Sequence, residues 1–256
     1  MEQLFITWLL IFIRAGAMLY VFPIFSATAV PVRLRVGLAA VMGLFILPGV
    51  FAPPNVTSYT LVGMVLLIGK EVLLGLILGY LCRLVLFSMA LAGHYIGTEL
   101  GLQLSSTIAP GETQPVQVPG VLMQLLAVML ILALDIHHLL LAGFQQSYNV
   151  LPIGAGQLSN ALFDTMLEKT AWTFVIAVKI AAPMIAVSIV INLLMMVLGR
   201  AVPQMNVFME AFGVRILVGI FLMGFIFNMA AHEISAYVRR LPDDFTQVIR
   251  LLGMGG

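Results

Sequence analysis

Residues 93–119 read GHYIGTELGLQLSSTIAPGETQPVQVP. The stretch opens as a glycine-striped helix and closes as a polar loop. Gly93, Gly97 and Gly101 recur every four residues, which places them on one helix face where a second backbone can come close. Tyr95, Glu99, Gln103 and Ser106 follow helical spacing on a neighbouring face. Lipid does not tolerate such a face, so it is expected to meet protein or a water-filled space. The loop then presents Ser105, Ser106, Thr107, Gly111, Glu112, Thr113 and Gln114, where a simple membrane protein needs only a short turn.

The flanks of this stretch are apolar helical runs of roughly membrane-spanning length. The 256 residues are 62% hydrophobic and 9% charged, against roughly 25% charged in a soluble domain. Such an excess does not fit inside one aqueous core, so the chain belongs in a membrane or inside a large apolar assembly. The net charge of +1 and the absence of a Lys/Arg run exclude a nucleic-acid partner. Cys82 is the single cysteine, so no internal disulfide forms. The 16 methionines suit irregular packing between helices. The start, MEQLFITWLLIFIRAG, does not read as a signal peptide, because Glu2 stands where positive charge is expected and Arg14 interrupts the apolar region.

Hydropathy gives about seven helical segments in a single all-α unit over residues 1–256. The runs cover about Leu4–Phe25, Val36–Ala52, Leu61–Leu81, a fourth after Arg83, Val121–Leu141, Ala171–Leu198 and Phe212–Ala231. Gly75 and Gly79 in GLILG form a close-packing pair. Leu151–Gly156, LPIGAG, is a turn, and Ser159 caps a short helix after it. Pro183 is expected to kink its run. Pro242, Asp243 and Asp244 open a terminal helix with an apolar stripe of Phe245, Val248, Ile249 and Leu252. With seven spans, Arg33, Arg35, Arg83, Lys169, Arg239, Arg240 and Arg250 fall on one side and only Arg200 on the other, which favours an outside N-terminus and an inside C-terminus. If the runs on either side of Arg83 form one helix, the count drops to six.

The chemistry-bearing residues give weak patterns. Arg14 lies too deep in its run to snorkel and is expected to face partners or water. Asp135 and His138 share a helix face while His137 points about 100° away, so a single metal would need ligands from elsewhere, such as His94 or His232, and no spacing supports that; no metal site is expected. Lys70, Glu71 and Glu99 are open to two readings: a proton or ion path, or, for the adjacent Lys70 and Glu71, structural pairing to neighbouring subunits. There is no GxSxG, HExxH or nucleotide-binding loop. No catalytic residue and no cofactor is expected.

Four stretches together resemble the FliR family, the flagellar type III export-gate subunit with its SctT-type injectisome relatives. They are FIRAGAMLYVFPIFSATAVPVRLRVGLA (Phe12–Ala39), GTELGLQLSSTIAP (Gly97–Pro110), LDIHHLLLAGFQQSYNVLPIG (Leu134–Gly154) and LGRAVPQMNVF (Leu198–Phe208). The chain departs from the family pattern at Ala109-Pro110 and at Ala211–Gly213. The resemblance implies a non-enzymatic subunit of the bacterial inner membrane and flagellar basal body. It implies a helical hetero-oligomeric collar built with FliP-type and FliQ-type subunits, contacted by an FlhB-type component and traversed by unfolded export substrates. On that reading Glu99 and Gln103 face the pore. The plug is the loop with Ser105, Ser106, Thr107, Ile108, Pro110, Gly111, Glu112, Gln114, Pro115 and Pro119, and Gly93, Gly97 and Gly101 pack helices. Two alternatives stay open: an injectisome export-gate subunit, and a secondary transporter using Glu99 and Lys70 as coupling charges.

Overall fold

The computed structural model describes residues 2–22, 25, 30–50, 60–102, 118–202, 204 and 206–253, with backbone only at 207 and 208. The described residues are helical and contain no strand. In order they form α1 (Glu2–Val21), α2 (Val32–Ile46) with a 3-10 turn at Leu47–Gly49, α3 (Leu61–Glu99), α4 (Val118–Ala133), α5 (Ile136–Val150), α6 (Asn160–Ala201) and α7 (Val207–Gly253). The all-α expectation holds. Five of these helices are long and apolar enough to cross a membrane, six if the broken pair α4 and α5 makes one span.

The segment boundaries differ from the hydropathy reading in four places. The runs on either side of Arg83 form one 39-residue helix, α3, which is the alternative left open at that junction. Arg83 is exposed on it. A charge on the outer face leaves the backbone hydrogen bonds intact, so it does not end a helix. Arg33, Arg35, Lys169, Arg239, Arg240 and Arg250 also lie within helices rather than in connections, so the seven-span charge count loses its basis. Conversely, the run Val121–Leu141 breaks at Leu134-Asp135, where Asp135 takes φ 55°. Asp is among the few residues that enter this left-handed region at modest cost. Ser159 caps as expected, its Oγ accepting the Leu162 N–H at 3.2 Å. The helix it starts is the 42-residue α6, which runs through Pro183. The tail is likewise no separate helix, since α7 continues through Pro242.

The chain divides into two compact units. Unit 1 comprises Met1–Leu84, Ile131–Thr170 and Val238–Gly256, and unit 2 comprises Val85–Leu130 and Ala171–Tyr237. In unit 1 the core forms where α1 lies against α3. Gly75 and Gly79 make this possible. A Cβ at Gly75 would stand 2.8 Å from the Ala17 Cβ and 3.1 Å from the Met18 nitrogen, and one at Gly79 would stand 2.7 Å from the Met18 carbonyl. The notch lets Leu10, Ile11, Met18 and Leu78 bury completely or nearly so, each worth about 1.5–3 kcal/mol when taken from water. The C-terminal stripe Phe245, Val248, Ile249 and Leu252 is buried in this unit, with Phe245 against Gly143 of α5. In unit 2 Gly219 of α7 leaves room for Leu100 and Met184. Phe87 meets Phe174 edge to face, with ring centroids 6.2 Å apart. Lys179 pairs with Glu233 at 2.6 Å.

Large apolar side chains also remain outside, among them Phe45, Leu61, Leu217 and Phe221, the last 85% exposed. A soluble monomer rarely shows so many together. The notch makes two glycines of α3 opposite in behaviour. Gly75→Ala is expected to destabilise the chain by about 1–3 kcal/mol through overpacking. Gly69→Ala has no heavy atom within 4 Å of the new Cβ and is expected to raise stability by up to about 1 kcal/mol through helix propensity. Thermal unfolding of the two variants in detergent checks the signs.

Candidate functional site

Arg14 sits in the middle of α1 and Glu71 in α3, one turn before Gly75. Residues four apart share a helix face, so the acid and the notch lie on the same stripe. The close approach that Gly75 allows brings the guanidinium onto the carboxylate. Arg14 Nε donates to Glu71 Oε2 at 2.5 Å, and both side chains are fully buried. The remaining donors turn to the end of α5. Nη1 points at Ser147 Oγ and the Leu151 carbonyl, each at 3.4 Å, and Nη2 at the same carbonyl at 3.5 Å. The guanidinium also lies 4.1 Å from the Tyr148 ring centroid, a cation–π contact strengthened by burial. Glu71 Oε1 accepts the Gly154 N–H at 2.9 Å. Gly154 holds φ +82°, a left-handed state for which glycine is suited. Arg14 therefore faces its own chain, not partner subunits or water. Glu71 pairs within this chain rather than with a neighbouring subunit, and Lys70 is exposed and donates to the Gly154 carbonyl at 3.3 Å.

In unit 2 the described rim of the loop is held from both sides. A Cβ at Gly93 would stand 2.5 Å from the Gly120 nitrogen and 2.7 Å from the Pro119 carbonyl carbon, so α3 and the start of α4 touch backbone to backbone. One turn on, the Pro119 ring lies 3.9 Å from the Cβ position of Gly97. Gly101 does something else. It lies past the end of α3 with φ 76°. Its N–H donates to the Thr98 carbonyl at 3.0 Å, and the Leu102 N–H donates to the Gly97 carbonyl at 3.1 Å. This is the Schellman pattern, which satisfies the last carbonyls of a helix. Gly101 thus stops the helix. Glu99 is partly buried and accepts a hydrogen bond from Ser188 Oγ of α6. Gln103, Ser105, Ser106, Thr107, Ile108, Pro110, Gly111, Glu112, Gln114 and Pro115 lie outside the described residues.

At the break between α4 and α5, Asp135, His137 and His138 offer ligand atoms within 4.8 Å of one another. The histidine rings lie 4.1 Å apart at 37°. His94 and His232 belong to unit 2 and are not in this group. Sequence reasoning missed Ser147, Tyr148, Gly154 and Ser188. Their only signal was polarity within QQSYNV, glycine in a turn and a serine in an apolar run, none of which names a partner far away in sequence.

The family described as bacterial export proteins, family 1, matches residues 5–241 of this chain. The flagellar biosynthetic protein FliR of Caulobacter vibrioides is 29% identical over 93% of this chain and 94% of its own length. The FliR proteins of Pectobacterium carotovorum and Escherichia coli are 28% and 27% identical, over 93% and 96% of this chain and 92% and 97% of theirs.

Removing one partner of the buried pair tests its role. Arg14→Met leaves Glu71 without its counter-charge and is expected to cost about 3–5 kcal/mol. Adding Glu71→Leu to it is expected to restore most of that, because no uncompensated charge remains. The melting temperatures of both variants in detergent read the difference.

Proposed function

The chain belongs to the bacterial export proteins, family 1, and on that premise we propose that it is a subunit of the flagellar type III protein export gate, lining the pore and supplying its closed-state plug. Unfolded flagellar proteins pass through that pore. The subunit acts as one export-gate domain, together with FliP-type and FliQ-type subunits and an FlhB-type component, at the inner membrane within the flagellar basal body. Its contribution is architectural rather than catalytic, and other components supply the energy.

The anchored ends of the loop carry the reading. Residues 103–117 leave from Leu102, fixed by the Schellman turn, and return at Val118, beside the Gly93–Gly120 contact. The described helix ends on either side of this polar Pro/Gly stretch are both packed. Glu99 and Thr98 put polar groups on the last turn before it.

Helix length supports the assembly. α6 and α7 hold 42 and 47 residues, about twice the ~20 that a membrane-spanning helix needs. Their exposed apolar side chains, such as Leu193, Val197, Leu217 and Phe221, then meet neighbouring subunits over part of that length.

Deleting residues 106–117 tests the plug. The shortened chain is expected to assemble with its partner subunits and to make the membrane leaky to ions, read as loss of a membrane-potential dye signal. A deletion variant that assembles, stays tight and exports normally would falsify the plug.

A further inference from the structure

On a straight helix, adjacent residues diverge by about 100° and two neighbouring histidines do not share a ligand. The break at Leu134-Asp135 removes that constraint. Asp135 is the N-cap residue of α5, yet its carboxylate caps no backbone N–H. It instead lies 3.6 Å from His138 Nδ1. The His137 and His138 rings lie with centroids 4.1 Å apart and planes tilted by 37°, and the buried Nδ1 of His137 has no hydrogen-bond partner. All three residues can offer a ligand atom within 4.8 Å of the others. The Asp135 and His138 side chains are 78% and 70% exposed on this chain.

We infer that Asp135, His137 and His138 form a binding site for a borderline divalent transition-metal cation of the zinc type. Two imidazole nitrogens with one carboxylate oxygen suit zinc, copper or nickel rather than magnesium or calcium, which take oxygen-rich shells. Three protein ligands leave one tetrahedral position for water. The ligand atoms need to close by about an ångström to reach one ion, which exposed side chains do by rotamer adjustment. The carboxylate supplies negative charge against the positive end of α5. The bound ion ties the first turn of α5 to the residue at the break and fixes the conformation there.

The test uses the full-length chain in detergent with any affinity tag removed. Zn²⁺ is titrated in competition with a chromogenic chelator, and Co²⁺ reports nitrogen ligation through its visible spectrum. The expected result is one saturable equivalent of Zn²⁺, unaffected by excess Mg²⁺. His137→Ala with His138→Ala is expected to abolish it. Asp135→Asn is expected to weaken it by at least ~10-fold. Circular dichroism and elution volume show that these variants keep their fold. His94→Ala with His232→Ala is expected to retain the site. Absence of saturable uptake overturns the inference. So does uptake that survives loss of His137 and His138, or uptake lost with His94 and His232.

Discussion

A guanidinium and a carboxylate buried together inside an apolar chain constrain unit 1 more than any other contact described. Neither Arg14 nor Glu71 has access to water, and an unpaired charge in that position is costly. The pair forms only if α1 and α3 approach closely, which Gly75 and Gly79 permit. It also requires the end of α5 and the turn that follows, because Ser147, Leu151 and Gly154 complete its hydrogen bonding. Elements far apart in sequence are thus tied by one polar centre. Net stabilisation by such a pair is modest. Its value is that other registers of α1 on α3 leave a charge uncompensated.

Unit 2 solves a different problem. Apolar helices give no reason for a polar segment to stay in one place. Here the stop at Gly101 and the backbone contact of Gly93 with Gly120 fix where residues 103–117 leave and return. In the proposed gate this matters more than the fold of the loop itself, since a plug works by position. The hydrogen bond from Ser188 to Glu99 ties the last turn of α3 to α6 beside that departure point.

The sequence carried the helical class and the close-packing pair Gly75 and Gly79, because long apolar runs and glycine spacing are local signals, and it carried the family through four motif stretches taken together. Ser159 as a cap and Leu151–Gly156 as a turn were legible for the same reason. Continuity across Arg83 stood only as the alternative count of six, since hydropathy registers charge but not which face bears it. The break at Asp135 was hidden because an aspartate in the left-handed region leaves no mark on an apolar pattern. Gly101 fits the stripe Gly93-Gly97-Gly101 by spacing alone, while its role depends on where the helix ends. The partner of Arg14 lies 57 residues away, and nothing in either segment names the other.

The central claim is that the segment between these anchors meets the exported chain. Cys82 is the single native cysteine and is buried, so one introduced thiol can serve as the probe. Gln114→Cys, carrying a short thiol-reactive crosslinker, would be placed in an assembled export apparatus holding a flagellar substrate stalled in transit. The account predicts a covalent adduct between this chain and the stalled substrate, lost when the cysteine is moved to exposed Leu158. An assembled apparatus with a stalled substrate and no adduct from position 114 contradicts it.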